Sequence, residues 1–233
     1  MQKGVHYDKT YASCPDTHAT RMLQAMVVKY GLIRAAFDIE QAYCQASMPE
    51  NEQVAVRYPQ GFTRRNSEGE ELFMLLVRNL YGHPSGGRHW EKERNAVLMK
   101  EFSTNGYQIK KCVKEPCMFL VRRGKEYAYM LLHTDDADCA GSSQAILEEI
   151  QSKIRTHWGI KAVNPDYMLG VHRALRGEGK EQTVELTMTA FVESMALAFK
   201  QYVFDDKKLA KLKTPNEKGM HLHKHLLQDD ESK

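Results

Sequence analysis

In EYAYMLLHTDDADCAG, residues 126–141, an apolar run leads into an acidic turn. Residues 127–132 predict a buried strand, and residues 137–140 predict a short strand that leaves the turn His133–Asp136. Gly124 and Lys125 predict a second turn, which joins this strand to another over residues 117–121. The middle of the chain is therefore predicted to be a meander with Asp135 and Asp136 at a hairpin turn.

The flanking sequence predicts helices and further strands without a regular βαβ alternation. Strands are predicted at 32–38, 54–58, 71–77, 167–175 and 183–188, and helices at 17–30, around 90–102, from Ser143 to Gly159 and around 191–202. Asp16 or Thr17 is the predicted N-cap of the first helix, and Gly31 is its predicted stop. Because several hairpins are local in sequence, the pattern favours an α+β fold with a mostly antiparallel sheet.

Composition excludes several protein classes. The 233 residues carry 33 Lys plus Arg against 30 Asp plus Glu, and 42% of residues are hydrophobic, as in globular chains. No apolar run approaches the ~18 residues of a membrane span, and no signal-peptide core is present. Five cysteines without a C-x-x-C spacing predict reduced thiols, and a zinc site at Cys112 and Cys117 lacks two further ligands. The sequence therefore predicts an intracellular, cytoplasmic protein that is not secreted and has no membrane partner.

The sequence has no phosphate-loop, H-E-x-x-H, G-x-S-x-G or G-x-G-x-x-G motif. The candidate catalytic residues are therefore aspartates at two places in the chain. Asp38 ends a predicted buried strand, and Asp135 and Asp136 occupy the hairpin turn. Adjacent carboxylates repel each other, and with an acid from a neighbouring strand they form an oxygen-rich site suited to Mg²⁺. Two such ions support in-line phosphoryl transfer. The alternative is ordinary turn chemistry, in which Asp bonds its own backbone.

Seven ordered segments resemble the reverse transcriptase domain of Ty1/copia-type LTR retrotransposons, and together they span residues 7–219. They are YDKTYASCPDTHATRMLQAMVVKYGL (7–32), AAFDIEQAYCQASMPENEQVAVRYPQGF (35–62), LVRNLYGHPSGGRHW (76–90), PCMFL (116–120), MLLHTDDADCAG (130–141), YMLGVHRAL (167–175) and LKTPNEKG (212–219). The second resembles L-D-V-x-x-A-F-L-x-G-x-L-x-E-x-(V/I)-Y-M-x-x-P-x-G-F, and the fifth resembles L-L-Y-V-D-D-(M/I)-L-(I/L)-x-G.

The resemblance implies the fingers and palm of a right-hand polymerase, with thumb and RNase H absent or incomplete. It places this domain at residues 1–213. The domain is expected to be truncated at its N-terminus, so that it lacks the basic K-A-R-L-V-A-K-G segment that precedes the Y-x-x-T strip in the family. Residues 214–233 are left as a polar, disordered tail. The HLHKH sequence at 221–225 is predicted to be solvated, with a transition-metal site as the alternative. Integrase and RNase H domains are the expected partners in an intact element.

The resemblance also implies the catalytic and metal-binding residues. Asp38, Asp135 and Asp136 fall on the three catalytic carboxylates. They are expected to hold two Mg²⁺ ions, or Mn²⁺ in their place, with the Ile39 carbonyl as a further ligand. The ions would activate the primer 3′-hydroxyl and stabilise charge on the α-phosphate.

Three further positions are expected to contact substrate. Tyr43 falls on the aromatic residue that packs under the deoxyribose of a dNTP and excludes a 2′-hydroxyl, with a core aromatic as the alternative. Arg88 is expected to touch template or phosphate, with a solvated side chain as the alternative, and Lys161 to lie near the triphosphate. The expected partners are therefore an RNA or DNA template with its primer, and dNTPs.

Several positions depart from the family pattern. His133 and Thr134 replace Tyr-Val before the acidic pair, and His133 stands where the Tyr would approach the primer backbone. Residues 85–87, Ser-Gly-Gly, replace Gln-Ala-Pro and remove an amide expected near the nucleotide. Asp138 replaces an apolar residue and is expected on an exposed strand face.

Three functions follow as hypotheses. The first is an RNA-directed DNA polymerase, a nucleotidyltransferase from a retrotransposon polyprotein, with virus-like particles as an alternative cytoplasmic location. The second is an inactive remnant that keeps the fold and at most binds nucleic acid weakly, favoured by the departures. The third, a metal-dependent nuclease on an unrelated fold, would share the acids but leaves the other segments unexplained.

Overall fold

A computed structural model of the chain describes residues 10–202, and the chain divides into two compact units between Met188 and Thr189. The helices are α1 (Thr17–Tyr30), α2 (Ala42–Gln45), α3 (Gly86–Glu101), α4 (Gln144–Arg155) and α5 (Thr189–Tyr202), with 3₁₀ turns at Glu50–Glu52 and Gly179–Glu181. The strands are β1 (Ile33–Ile39), β2 (Ala55–Arg57), β3 (Phe73–Leu75), β4 (Tyr107–Lys111), β5 (Met118–Arg123), β6 (Glu126–His133), β7 (Asp136–Gly141), β8 (Ile160–Val163), β9 (Tyr167–Met168), β10 (Val171–Arg176) and β11 (Thr183–Thr187). Parts of the predicted domain 1–213, the predicted tail 214–233 and the HLHKH sequence lie outside the described residues.

The central feature is a six-stranded sheet in the order β4-β5-β6-β7-β1-β8, in which every neighbouring pair is antiparallel. The meander predicted around residues 117–140 forms β5, β6 and β7, with the turn at Gly124 and Lys125. β1 lies between β7 and β8 in this sheet, although both of these strands come much later in the sequence. The predicted α+β class with a mostly antiparallel sheet is confirmed.

Both faces of the sheet are covered, by different helices. One face packs on α3 and α4 through the larger core, which includes Phe37, Trp90, Phe119, Met130 and Ile150. The opposite face packs on α1 through a smaller core of Ala19, Leu23, Val27, Leu32, Cys117, Met118, Leu131 and Ala140. The alternation of the strands therefore assigns each side chain of the sheet to one of two cores.

Capping residues define the helix ends. The Asp16 carboxylate accepts a hydrogen bond of 2.8 Å from the His18 amide, and Gly31 takes a left-handed conformation with φ 60° after α1. The predicted cap and stop of this helix are confirmed. Ser143 caps α4 by accepting from the Ile146 amide, but α4 ends at Arg155, earlier than the predicted end at Gly159.

Two smaller sheets complete the first unit. β2 and β3 lie within the predicted segments 54–58 and 71–77, and they pair as an antiparallel hairpin, which the sequence did not predict. The predicted single strand 167–175 is wrong, because a turn at Leu169 and Gly170, with φ 52° and 80°, divides it into β9 and β10. β11 then pairs with β10, as predicted for residues 183–188.

Helix α5 begins the second unit. It carries five exposed apolar side chains, which are Phe191, Val192, Met195, Leu197 and Phe199. None of the helices within residues 10–202 is long and apolar enough to cross a membrane. All five cysteines are free thiols.

A close contact at Gly141 provides the first prediction. A Cβ atom added here would lie 2.7 Å from Cγ of Leu147, which is 1% exposed in the core between β7 and α4. We expect Gly141→Ala to lower the free energy of unfolding by about 1–3 kcal/mol, because the buried leucine cannot move without a cost elsewhere. Denaturant unfolding measures the change. Gly86→Ala is the control, since its added Cβ finds no atom closer than 3.8 Å, and equal stability losses in the two variants would contradict the prediction.

Candidate active site

The candidate site is built on a row of residues that crosses four strands of the central sheet. His133 pairs with Asp136, Asp136 pairs with Asp38, and Asp38 pairs with Lys161, so the four residues lie side by side on β6, β7, β1 and β8. Directly opposed residues of antiparallel strands share one face and place their Cβ atoms about 4.5–5.5 Å apart. The sheet thus brings together Asp38, Asp136 and Lys161, which the sequence predicted as site residues.

Asp135 joins this row through the hairpin turn. Its carbonyl oxygen accepts a hydrogen bond of 2.8 Å from the Ile39 amide, which fixes the turn against the end of β1. Ile39 therefore lies directly beside the Asp135 turn, and the role of its carbonyl as a metal ligand stays a prediction.

Two side chains of α3 hold the residue before the acidic pair. Trp90 donates from Nε1 to the Thr134 carbonyl at 2.5 Å, and Arg94 donates to the same oxygen at 3.3 Å. Both side chains are 1% exposed. Thr134 has φ 24°, a conformation that residues other than glycine adopt at a cost, so the two donors stabilise a strained turn. In the sequence, Trp90 is marked only as part of a predicted helix, and no local pattern marks Arg94.

The carboxylates of the site disfavour each other's charge. The pKa of Asp38 is raised by burial and by the charges of Asp135 and Glu40, against the opposing effect of Lys161. The pKa of Asp136 is also raised, by burial and then by Asp135 and Asp38. Negative charge is therefore concentrated at this edge, and a bound cation would relieve the repulsion.

The residues fit a divalent metal by their chemistry but do not form a closed cluster. Within residues 10–202, no three Asp, Glu, His or Cys side chains converge closely enough to constitute a metal site by themselves. Carboxylate oxygens such as those of Asp38 and Asp136 are nevertheless the donors that Mg²⁺ prefers. A metal at this site would need further oxygen ligands, such as substrate phosphates or water.

An aromatic pair lies beside the acidic turn. The rings of Tyr43, on α2, and Tyr81 are 5.7 Å apart at an angle of 44°. Together with Ala42, Thr134 and Asp135 they line an open cavity of about 170 Å³. Tyr81 was not predicted as a site residue, although its pKa is raised by partial desolvation and by nearby groups that include Asp135 and Asp38.

The loop that carries Tyr81 is tied to the helix that carries Tyr43. Asn79 donates from both its backbone nitrogen and its side-chain amide to the Ala46 carbonyl, each at 3.0 Å. A Cβ added to Gly87 would lie 3.4 Å from the Tyr43 hydroxyl oxygen, so the start of α3 closes the other side of the tyrosine. Tyr43 is half-buried: it packs against the larger core and also lines the cavity.

The remaining predicted residues have different environments. Arg88 is half-buried in the first turn of α3, and no hydrogen bond or ion pair within residues 10–202 joins it to the carboxylates. His133 is half-buried, and its pKa is lowered by burial and by Arg173, so its neutral form is favoured at pH 7. The expectation of an exposed Asp138 is wrong, because its side chain is fully buried against Arg173.

The hydrogen bond from Trp90 to the turn gives a second prediction. We expect Trp90→Phe to lower any catalytic rate of the site about 10-fold, because the Thr134 carbonyl loses a donor and the acidic turn shifts. Loss of the bond is also expected to destabilise the fold by about 1 kcal/mol. Single-turnover kinetics measure the rate.

Trp158→Phe is the matched control for this prediction. Its ring lies 4.9 Å from that of Trp90 in an edge-on arrangement, in the same core. Equal rate losses in the two variants would assign the effect to core packing and contradict the role of the hydrogen bond.

Comparison with known proteins identifies the class to which this fold and site belong. The family model described as reverse transcriptase (RNA-dependent DNA polymerase) matches residues 1–200. The match covers most of the 233 residues, and the chain therefore belongs to this family.

Two curated relatives come from retrotransposons of Arabidopsis thaliana. The chain is 23% identical over 173 residues to the retrovirus-related Pol polyprotein from transposon RE1, and 20% identical over 172 residues to that from transposon RE2. Each match covers 73% of this chain and 11% of the relative, so the chain spans about a tenth of these polyproteins. The resemblance to a retrotransposon reverse transcriptase domain is confirmed.

Proposed function

We propose that the chain is the RNA-directed DNA polymerase domain of a Ty1/copia-like retrotransposon Pol polyprotein. The observation that carries the proposal is the pairing of Asp38 with Asp136 on adjacent strands, with Asp135 bonded through its carbonyl to the next residue of β1. This arrangement concentrates three carboxylates at one edge of the sheet in a chain of this family. The central sheet with α3 and α4 would be the palm, and the β2–β3 hairpin part of the fingers.

Asp38, Asp135 and Asp136, with the Ile39 carbonyl, would hold divalent cations, most simply two Mg²⁺ ions. Such ions supply activation of the primer 3′-hydroxyl and neutralisation of charge that develops on the α-phosphate. The chain's own task is to keep the carboxylates ionised and in place. Lys161 contributes by opposing the rise in the pKa of Asp38, and Trp90 and Arg94 contribute by fixing the turn.

The cavity beside the turn would accept the sugar of the incoming nucleotide. Tyr43 forms one wall and would pack against the deoxyribose, leaving no room for a 2′-hydroxyl. Tyr81, which is 65% exposed, would cover the outer side. Lys161 lies beside Asp38 and is available to triphosphate oxygens, whereas Arg88, at the start of α3, would contact template or phosphate. The partners are then dNTPs and an RNA or DNA template with its primer.

The nature of the two relatives supports a larger assembly. Both are Pol polyproteins, so we infer that integrase and RNase H domains accompany this domain in an intact element, which would act in the cytoplasm or in virus-like particles. Residues 1–213 would form the polymerase domain and 214–233 a polar tail.

Two observations favour a second candidate, an inactive remnant that keeps the fold and at most binds nucleic acid weakly. The three carboxylates do not close into a metal cluster, and His133 occupies the position where the family has Tyr. A remnant of this kind would bind a primer–template without consuming dNTPs, and its binding would not depend on a divalent cation.

Primer extension on an RNA template tests the proposal. The polymerase predicts incorporation of dNTPs that requires Mg²⁺ or Mn²⁺ and stops with a chelator. A thermal-unfolding assay adds a measurement that does not depend on turnover, because a cation bound only by the folded state raises its melting temperature. Binding without turnover or metal stabilisation would favour the remnant, and strand cleavage would indicate a nuclease.

A further inference from the structure

A buried histidine joins the segments that surround the cavity of Tyr43 and Tyr81. His89, in the first turn of α3, is 4% exposed. Its Nδ1 lies 3.0 Å from Oδ1 of Asn79, and its Nε2 lies 2.9 Å from Oε2 of Glu52. Glu52 belongs to the 3₁₀ turn before β2, and Asn79 to the loop after β3. The ring therefore connects the start of α3 to the chain on both sides of the β2–β3 hairpin.

The hydrogen bonds of the Asn79 amide determine which form of His89 can bind it. Nδ2 of Asn79 donates to the Ala46 carbonyl at 3.0 Å, so the oxygen Oδ1 is the atom that faces His89. An amide oxygen only accepts hydrogen bonds, and so does the ionised carboxylate of Glu52. The His89 ring can therefore bind both partners only when both of its nitrogens carry a proton, which is the positively charged imidazolium form.

Two titratable side chains face the His89 ring. Glu52 supplies the negative charge that stabilises an imidazolium through a charge-assisted hydrogen bond. The ring of His83 lies 5.9 Å away, and its pKa is lowered by burial and then by His89, against the opposing effect of Glu52, so His83 stays neutral at pH 7. Glu93, one turn along α3, and Arg78, in the loop, form hydrogen bonds with other groups. The proton is therefore held by His89 and Glu52.

Loss of one proton from the ring breaks the contact with Asn79. The negative charge of Glu52 favours the remaining proton on Nε2 of His89. The bare Nδ1 then faces the Asn79 oxygen, which leaves two acceptors with no hydrogen between them. Because an unsatisfied buried acceptor is unfavourable, the Asn79 amide is expected to turn away from the ring. The contact is thus complete at low pH and is lost as the pH rises through the titration of the His89 ring.

Asn79 connects this change to the aromatic walls of the cavity. Its backbone and side-chain N–H groups both donate to the Ala46 carbonyl, each at 3.0 Å. Ala46 directly follows α2, and its amide donates to the Tyr43 carbonyl at 3.3 Å. Tyr81 lies two residues after Asn79 in the loop. A turn of the Asn79 amide therefore removes one of the two hydrogen bonds that hold the end of α2 against the loop, and Tyr43 gains freedom to move.

We propose that His89 is a positioning residue whose doubly protonated ring holds Asn79, and through it Tyr43, so that the cavity discriminates less well against a 2′-hydroxyl once the ring loses a proton. This inference rests on the proposed polymerase function. His89 acts through Asn79 and does not itself touch the nucleotide.

Nuclear magnetic resonance of the free protein tests the network without turnover. Ring ¹⁵N shifts distinguish a protonated from a bare nitrogen, and a titration from about pH 5 to about pH 9 covers the range in which histidines change charge. We expect both His89 nitrogens to be protonated at the low end and Nδ1 to lose its proton as the pH rises. The side-chain amide of Asn79 and the ring of Tyr43 are expected to shift with the same midpoint.

Replacement of Glu52 by Gln is expected to make the contact with Asn79 independent of pH. The Gln amide can donate to Nε2 of His89, which leaves the single proton of a neutral ring on Nδ1 for Asn79. Glu101→Gln is the matched control, because Glu101, at the other end of α3, lies 3.2 Å from Nε2 of His157 in a pair of the same kind. It should leave the titration of Asn79 as in the wild type.

Competition between dNTPs and ribonucleotides connects the network to selectivity. The ratio of the two kcat/KM values is the useful quantity, because general effects of pH on the chemistry cancel in it. We expect the wild-type ratio to fall roughly 5-fold between about pH 6 and about pH 9, less than on removal of the Tyr43 ring. In Glu52→Gln the ratio is expected to stay constant within about 2-fold, whereas Glu101→Gln should follow the wild type.

A His89 ring whose protonation does not change across this range would overturn the proposal, as would an Asn79 amide that does not follow the ring. A ring that titrates while the Tyr43 signals and the sugar selectivity stay constant would contradict the positioning role and leave His89 a core histidine. These outcomes are read from the wild type, so they stand even if Glu52→Gln does not fold. A wild type that incorporates no nucleotide would refute the polymerase function, while the Asn79 and Tyr43 signals of the free protein still decide whether His89 positions the tyrosine.

Discussion

Replacement of Asp135 by Asn is expected to reduce dNTP incorporation by about 10³-fold while leaving the fold intact. Loss of one preorganised charge-stabilising group at a reaction centre typically costs 10²–10³-fold, and loss of a metal-binding carboxylate removes the ion's contribution as well. The substitution keeps the backbone carbonyl that accepts from the Ile39 amide, so the turn retains its hydrogen bond. It also removes one of the charges that raise the pKa of Asp38 and Asp136.

Single-nucleotide extension with rapid quenching measures this loss, and circular dichroism checks the fold. Glu148→Gln is the control, because it neutralises a carboxylate on the exposed side of α4, away from the acidic turn. Incorporation by Asp135→Asn at the wild-type rate would exclude this carboxylate from the chemistry. A folded wild type that is equally inactive would support the inactive remnant.

Replacement of Tyr43 by Ala is expected to reduce discrimination against ribonucleotides by roughly 10–100-fold. A pocket that excludes a substrate by shape loses selectivity of this order when the excluding group is removed. Tyr43 lines the cavity beside Asp135, and the start of α3 at Gly87 limits the space behind its hydroxyl. We expect kcat/KM for ribonucleotides to rise while kcat/KM for dNTPs falls modestly.

Competition between ribo- and deoxyribonucleotides on one primer–template measures the ratio. Tyr81→Ala is the matched control. The Tyr81 ring lies 5.7 Å from the Tyr43 ring on the exposed side, and we expect its removal to affect both substrates alike. If Tyr81→Ala alone changed the sugar selectivity, the excluding wall would be Tyr81. If neither substitution changed it, the cavity would not be the sugar site.

The parts of the fold that could be predicted are those encoded by adjacent residues. The meander of β5, β6 and β7 follows from alternating apolar residues between turn signals, and the first helix follows from Asp16 and Gly31. β4 and β8, with the sequences YQIKK and IKAV, were missed because each is a short edge strand whose conformation depends on a partner elsewhere in the chain.

Within the candidate site, the sequence indicated the acids but not what surrounds them. Asp38 was marked by a strand end and Asp136 by the hairpin turn, both also by the resemblance, and the register of the sheet pairs them. The donors to the Thr134 carbonyl lie 44 and 40 residues away in sequence, and Arg173 lies 35 residues from Asp138. A contact of this kind has no local pattern, so an isolated Asp138 indicated an exposed face, whereas its arginine partner allows complete burial.

The position of β1 in the sheet has a consequence for synthesis and folding. Its two neighbours are β7 and β8, so one edge of β1 stays unpaired until residues 136–141 have been made, and the other until residues 160–163 have been made. Contacts between segments roughly 100 residues apart form slowly, and unpaired apolar strands are prone to aggregate in the meantime. The local hairpins of the meander can form first, and β1 then pairs with β7. Asp38 therefore reaches Asp136 only after the whole meander has been made and β1 has joined it.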